Sequence, residues 1–288
     1  MVIIFENLSA DQVDTYRLVL ASCGISYRSR KNKHGWDIKV NDIDYEKAIN
    51  TIEQYLEENQ DFHQPDEPFY YEYHKTFTGL WVCAILLAFH WAIKIHNDSD
   101  VFVRTYGASA FYILRGELYR SVTSLFIHAN AGHLAGNMIG IAIFGTVICS
   151  ITGLGVGWFM ILVTGISGNL MNAVLHKTGH ISIGASTAVF GAVGILATHR
   201  FLKKFRLPGR QMRAWLPLGA GLAILGFLGS GEHTDITAHL FGFMAGLILG
   251  AFYSIFIKQP APKIYQIYFF FITISILILS WIRGFAVG

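Results

Sequence analysis

Seven stretches of this chain stay apolar for 16 to 21 residues, at about 77–95, 134–152, 155–175, 184–202, 214–229, 237–257 and 264–282. A helix of about 20 such residues crosses a hydrocarbon core ~30 Å thick. Within lipid the backbone must satisfy its own hydrogen bonds, so an open sheet or irregular chain cannot stand in for it. The pattern predicts a bundle of membrane-spanning helices and excludes an ordinary soluble domain, in keeping with 53% hydrophobic and only 14% charged residues.

The first quarter of the chain differs. Residues 1–75 hold 14 acids and 8 bases, whereas 76–288 hold 5 acids and 14 bases, so an acidic module precedes a basic membrane body. Met1 to Glu6 has neither a basic leader nor a full apolar core, and no cleaved signal peptide is expected. In the module the patterning predicts a strand at 2–6, a helix at 9–23 capped by Ser9 or Asp11, a hairpin of 25–29 with 36–40, and a helix at 43–58. This β-α-β-β-α order resembles a small ferredoxin-like sandwich, closed by a last strand near 68–73. The expected organisation is an α+β cytoplasmic domain at 1–62, a linker at 63–76 marked by Pro65 and Pro68, a six-span core at 77–257, and a linker with one further span at 258–288. Cys23, Cys83 and Cys149 are scattered and odd in number, and are read as structural thiols with no disulfide or zinc framework.

Lysine and arginine in short loops set orientation. Arg200, Lys203, Lys204, Arg206, Arg210 and Arg213 follow span four, and Lys258 and Lys263 follow span six, which predicts that these loops are cytoplasmic. The loop after span five has Glu232 and Asp235 without a base and is placed outside. The amino terminus is then cytoplasmic and the carboxyl terminus outside. Residues 97–132 are read as a long, structured surface loop dipping into the interface, placed outside despite Arg104, Arg115 and Arg120.

Under that topology spans two, four and six all begin at the outer surface. Their heads carry His133 with Asn137, Gly184-Ala185-Ser186, and Ala238-His239. A serine is a poor nucleophile until a neighbouring base takes its proton, and histidine does so near neutral pH. Gly191 and Gly194 after Ser186, with Gly242, Gly246 and Gly250 after His239, favour close approach of the two helices. Phe190, one turn beyond Ser186, offers an apolar wall to the imidazole. His133 and Asn137, four residues apart, share one helical face. With the Ser186 N–H they supply candidate oxyanion donors, each commonly worth about 3 kcal/mol.

Four ordered stretches carry a family resemblance. They are Gly116-Glu117-Leu118-Tyr119-Arg120-Ser121-Val122-Thr123, His128 to Asn137 with its H-x4-H-x3-N spacing, Gly184-Ala185-Ser186, and Ala238-His239 with Gly242 and Gly246. Over roughly 76–257 the chain resembles rhomboid intramembrane serine proteases of the bacterial kind that carry a cytoplasmic amino-terminal domain. The resemblance implies a membrane all-α fold with a six-helix core and, at 264–282, an additional carboxyl-terminal helix. It implies a serine endopeptidase working by a Ser-His dyad, without cofactor, near the outer face of a bacterial plasma membrane, on single-span or multi-span membrane-protein substrates. It assigns Ser186 as nucleophile, His239 as general base and acid, His133 and Asn137 as oxyanion-hole side chains, and Arg120 and Glu117 as the brace of loop one. The chain departs from the family where Tyr119 replaces tryptophan and Thr187 replaces glycine. Tyr119 is expected to anchor at the interface and Thr187 to narrow the site.

Other readings follow from the same residues. Intramembrane serine often bonds its own backbone, and His239, His133 and Asn137 are also the kind of residue that joins helices. A catalytically silent rhomboid-like protein that binds membrane clients is the alternative function. A transporter would show repeats between halves, and none is found. His128 is read as packing under loop one. His176, His180, His199 and His233 are read as hydrated span-end imidazoles, Glu232 and Asp235 as solvated acids, and no metal is expected. Asp235, one turn before His239, is also placed to orient it. Partners are the bilayer and membrane-protein substrates; no nucleic acid is expected, and no oligomeric state is read from the sequence.

Overall fold

A computed structural model describes residues 1–59, 76–95, 99–207, 209, 211–229, 234–257 and 261–287, in two compact units, Met1–Tyr70 and Tyr71–Gly288. The first unit runs β1 (Val2–Leu8), α1 (Ala10–Ser22), β2 (Tyr27–Lys31), β3 (Trp36–Val40) and α2 (Tyr45–Glu58). Its antiparallel sheet has the order β1-β3-β2. Ser9 caps α1 in a reciprocal box: its hydroxyl accepts the Gln12 N–H at 3.2 Å, and the Gln12 side chain accepts the Ser9 N–H at 3.0 Å. Val13, Leu20, Ile25, Ile38, Val40 and Ile52 close the core between helices and sheet. Strand β2 begins two residues later than expected because Ile25 turns into this core. Cys23 is exposed, which corrects its reading as a structural thiol. The expected fourth strand, Pro65 and Pro68 lie outside the described residues.

The second unit is helical: α3 (Thr78–Ile95), α4 (Ser99–Tyr106), α5 (Ala110–Ile113), α6 (Arg120–Thr123), α7 (Ala131–Gly140), α8 (Thr146–Thr152), α9 (Leu154–His176), α10 (Ser186–Phe205), α11 (Gln211–Ala214), α12 (Leu216–Leu228), α13 (Ile236–Phe256) and α14 (Lys263–Val287). A π turn, Ile141–Gly145, joins α7 to α8 in one continuous span. Among the described residues five helices are long and apolar enough to cross a membrane: Thr78–Ile95, Ala131–Thr152, Leu154–His176, Ile236–Phe256 and Lys263–Val287. The other two expected spans are helices of different character. Helix α10 has 20 residues but carries Arg200, Lys203 and Lys204 in its last two turns, and α12 has only 13, a length of about 20 Å.

The 97–132 region is not the surface loop expected of it. Its described part folds into α4 to α6 and a two-residue bridge, β4 (Ala108–Ser109) with β5 (Ile181–Ser182). Tyr106, Ile113, Tyr119, Arg120, Val122, Thr123 and Leu125 are all buried. Arg120 and Thr123 face inward because each finds a partner. Arg120 donates from Nε to Glu117 at 2.6 Å and from Nη1 to the Arg104 carbonyl at 2.7 Å, while Thr123 donates to the Tyr106 carbonyl at 2.7 Å.

Glycines set the depth at which the central helices meet. A Cβ on Gly242, Gly246 or Gly250 of α13 would strike the carbonyl oxygen of Thr187, Gly191 or Ile195 of α10, and one on Gly168 of α9 would strike the Thr187 methyl. Backbone therefore lies on backbone, the arrangement small residues allow between helices in lipid. At the far end Gln266 of α14 bonds across the α8–α9 break, accepting the Val156 N–H at 3.0 Å and donating to the Thr152 carbonyl at 2.8 Å. This satisfies an orphan donor at the start of α9.

Candidate active site

The packing of α10 on α13 puts their first turns at one level. Ser186 begins α10 one residue before Thr187, and His239 lies three residues before Gly242, whose contact with Thr187 fixes the register. The Ser186 hydroxyl and His239 Nε2 are 2.8 Å apart, and both residues are buried. The second ring nitrogen, Nδ1, is 3.1 Å from the Gly229 carbonyl. A carbonyl only accepts, so Nδ1 carries the proton and Nε2 is left as the acceptor for the serine hydroxyl. Phe190 covers the imidazole, with ring centroids 4.6 Å apart.

The chain ahead of Ser186 is held on several sides. Gly184, at φ +111°, donates its N–H to the Ser124 carbonyl at 2.9 Å. A Cβ there would meet the His133 ring at 2.6 Å and Asn137 Nδ2 at 3.3 Å, so only glycine fits both the backbone and the space. His133 and Asn137 thus flank the approach to the serine from α7. Asn137 Nδ2 is buried and has no hydrogen-bond partner among the described residues. Such a group is costly unless it serves another purpose.

Three residues take places other than those their sequence readings implied. His128 is buried, and its Nε2 accepts the N–H of Ala185 at 3.4 Å while Nδ1 faces the Phe126 carbonyl at 3.3 Å. Burial first, then the neighbouring His133, lowers its pKa to about 4. Thr187 does not narrow an open site, because it is buried and donates to Asn169 Oδ1 at 3.1 Å. Asn169 in turn donates to the Ser121 carbonyl and the Ser124 hydroxyl, tying α9 and α10 to the segment after α6. Tyr119 is likewise buried rather than an interface anchor, and its hydroxyl donates to Glu117 at 3.0 Å. The H-x4 spacing before His133 was a usable signal for His128; the Thr187–Asn169 pairing crosses helices and had none.

Asp235 corrects two expectations at once. It is not a solvated acid, and it does not hold the His239 ring, whose Nδ1 goes to Gly229. One carboxylate oxygen caps α13 by accepting the Ala238 N–H at 3.0 Å and the Thr237 hydroxyl at 2.8 Å. The other meets His180 Nε2 and Asn172 Nδ2, each at 2.6 Å. Burial alone pushes this carboxyl up, but hydrogen bonds from His180, Ala238, Thr237 and Ser182 outweigh it and hold the pKa at about 2. His176 and His180 stack at 4.0 Å beside it. The two histidines stand in an H-x3-H spacing, His176-Lys177-Thr178-Gly179-His180. His199 bonds the Ser254 hydroxyl at 3.0 Å rather than water alone. Glu232 and His233 lie outside the described residues, as do Arg210 and Lys258 of the basic loops.

Comparison with known proteins covers the same part of the chain. A family model described as the Rhomboid domain matches residues 115–256. RHOMBOID-like protein 1 of Arabidopsis thaliana is 29% identical over 144 residues, 50% of this chain and 36% of that protein. Rhomboid-like protease 3 of Toxoplasma gondii is 31% identical over 155 residues, 54% of this chain and 58% of that protein. Inactive rhomboid protein 2 of Homo sapiens is 30% identical over 137 residues, 46% of this chain and 15% of that protein. The matched region thus spans less than two thirds of each relative's own length. With the five apolar helices, the domain makes this chain an integral membrane protein with a helical membrane body.

Proposed function

The chain belongs to the rhomboid family, and we propose that it is an intramembrane serine endopeptidase in which Ser186 and His239 cut a substrate's transmembrane segment near the outer face. The observation that carries this reading is the 2.8 Å hydrogen bond from a buried serine to a histidine whose other nitrogen is fixed by a carbonyl. In the proposed reaction Ser186 Oγ attacks the scissile carbonyl while His239 Nε2 takes its proton. The imidazolium then protonates the departing amine, and a water activated by the same nitrogen hydrolyses the acyl-enzyme. Asn137, whose buried Nδ2 has no partner among the described residues, and His133 beside it are proposed to donate to the oxyanion, and Gly184 leaves the room in which they do so. Arg120 and Glu117 brace the segment from α4 to α6 from which Ser124 holds Gly184. The six-span core with an extra span, the cytoplasmic amino-terminal module, the outside carboxyl terminus and the bacterial plasma membrane complete the proposal.

The test is cleavage of a reconstituted panel of single-span substrates, with cut sites located by mass. Ser186→Ala is expected to lower cleavage by about 10³-fold or more while the protein still folds. Cleavage at the unmodified rate would overturn the assignment. The match to a relative named as inactive favours one second reading, a silent protein that binds membrane clients. A serine-directed fluorophosphonate separates the two, since the proposed enzyme is labelled at Ser186 and a silent protein is not.

A further inference from the structure

A second cluster of chemistry-bearing side chains lies at the same end of the helices, outside the Ser186–His239 pair. The last residue of α9, His176, and His180 just beyond it are folded together by a turn in which Lys177 and Gly179 take φ +60° and +74°. Their rings stack with centroids 4.0 Å apart. Asp235, the cap of α13, completes the group, and one ligand-type atom from each of the three residues lies within 4.8 Å of the others.

We propose that His176, His180 and Asp235 form a site for one zinc ion, with water filling the remaining coordination. The donor set decides the class of ion. Two imidazole nitrogens and one carboxylate suit zinc and its borderline neighbours, whereas magnesium and calcium take oxygen donors. The carboxylate is already oriented for a single-oxygen ligand. Its Oδ1 is committed to the Ala238 N–H and the Thr237 hydroxyl, and its Oδ2 faces His180 Nε2 at 2.6 Å with Asn172 donating alongside at 2.6 Å. Outer partners of this kind accompany metal-ligating carboxylates and histidines. Thr237 Oγ1 also lies 3.0 Å from His176 Nε2 and 2.6 Å from Asn172 Oδ1, so its one hydroxyl proton has Asn172 as an alternative acceptor to Asp235. His180 is fixed from its backbone as well, its carbonyl accepting the Ala110 N–H at 3.0 Å. The cluster is reachable from outside, with His176 exposed and His180 and Asp235 half-buried. A bound ion replaces the His180–Asp235 hydrogen bond and joins the end of α9 to the first turn of α13, which carries His239.

The test is calorimetric titration of the purified full-length protein in detergent with zinc chloride, and separately with magnesium chloride. One-to-one saturable zinc binding in the micromolar range or tighter, with no magnesium binding, is expected. His176→Ala, which touches no helix cap, is expected to weaken zinc binding by about tenfold or more, and His180→Ala to do the same. Cobalt(II) gives a second readout: visible bands of an imidazole-ligated site in the unmodified protein, lost in His176→Ala. Absence of saturable zinc binding, or zinc binding and cobalt bands unchanged in both variants, would overturn the proposal. Any effect of zinc on cleavage rests on the function proposed above. Ser186→Ala is expected to bind zinc as the unmodified protein does, so either reading can fail while the other stands.

Discussion

In the amino-terminal unit the buried side chains are Leu8, Val13, Tyr16, Leu20, Ile25, Ile38, Val40, Ala48 and Ile52, and no strongly polar or charged residue is buried among those described. The membrane body sorts its residues the other way. It buries Arg120, Asn137, Asn169, Asn172, Thr187, Ser186 and His239, while Trp81, Phe227, Ile248, Phe271 and Phe285 stand exposed. The first unit gains stability by removing apolar surface from water. Between helices in lipid that force is absent, and close packing and polar pairing replace it. Polarity inside the body is therefore informative where polarity inside the module would be an error. Most of it is partnered, as in the Thr187–Asn169–Ser124 chain. Asn137 Nδ2 is buried without one among the described residues, and the difference between a partnered and an unpartnered interior group is what the proposed site turns on.

Replacing Asn137 sharpens that contrast most. If its Nδ2 waits for an oxyanion, Asn137→Ala is expected to lower cleavage by about 10²- to 10³-fold. Thermal stability should barely change, because a buried donor with no partner among the described residues is removed. Cleavage rates and melting temperatures measured on one preparation check both halves. A large drop in melting temperature with little loss of cleavage would make Asn137 an ordinary helix-joining residue.

The same contrast explains what could be read from the sequence. Apolar length marked the five spans well, and three of the four motif stretches contain Ser186, His239, and His133 with Asn137, all within the first two turns of their helices, where sequence position translates into depth. What escaped was set by contacts between distant segments. Asp235 looked like a loop acid until Asn172 and His180, 63 and 55 residues away, were found on its carboxylate. Thr187 looked like an obstacle at the site because only the position of Gly168 and Asn169 on α9 shows that it turns inward. The 97–132 region looked like a surface loop because arginine is read as exposed; Arg120 is buried because Glu117 and two carbonyls surround it. Span five, expected over 214–229, forms a helix of 13 residues, Leu216–Leu228.

The soluble side of the comparison is probed by Leu20, which is fully buried in the module's core. Leu20→Ala is expected to cost about 3 kcal/mol through lost burial and a residual cavity. Denaturant unfolding of the full chain, followed by Trp36 fluorescence for the module, reads the loss, while fluorophosphonate labelling of Ser186 reads the body. Labelling unchanged beside an unfolded module is the expected result. Parallel loss of both would mean that the two units do not have separate cores in the thermodynamic sense.

The smallest effect concerns a polar group whose burial works only while it is uncharged. His128 accepts the Ala185 N–H through Nε2 and faces the Phe126 carbonyl through Nδ1, so a second ring proton would displace the Ala185 bond and place a charge beside His133. Its folded pKa is lowered to about 4, through burial first and then His133, against about 6.5 in an unfolded chain. The unfolded state therefore takes up the proton first. The contribution of His128 to stability is complete above about pH 6.5 and is lost as pH falls towards 4, amounting to about 1 kcal/mol between pH 7 and pH 5.5. His128→Gln keeps a polar side chain without the titration. Its melting temperature is expected to fall less steeply over this interval than that of the unmodified protein, all other titrating groups being common to both. Parallel slopes would mean that His128 takes up its proton in the fold as readily as in the unfolded chain, and the partnered, neutral interior argued for the segment ahead of Ser186 would have to be abandoned.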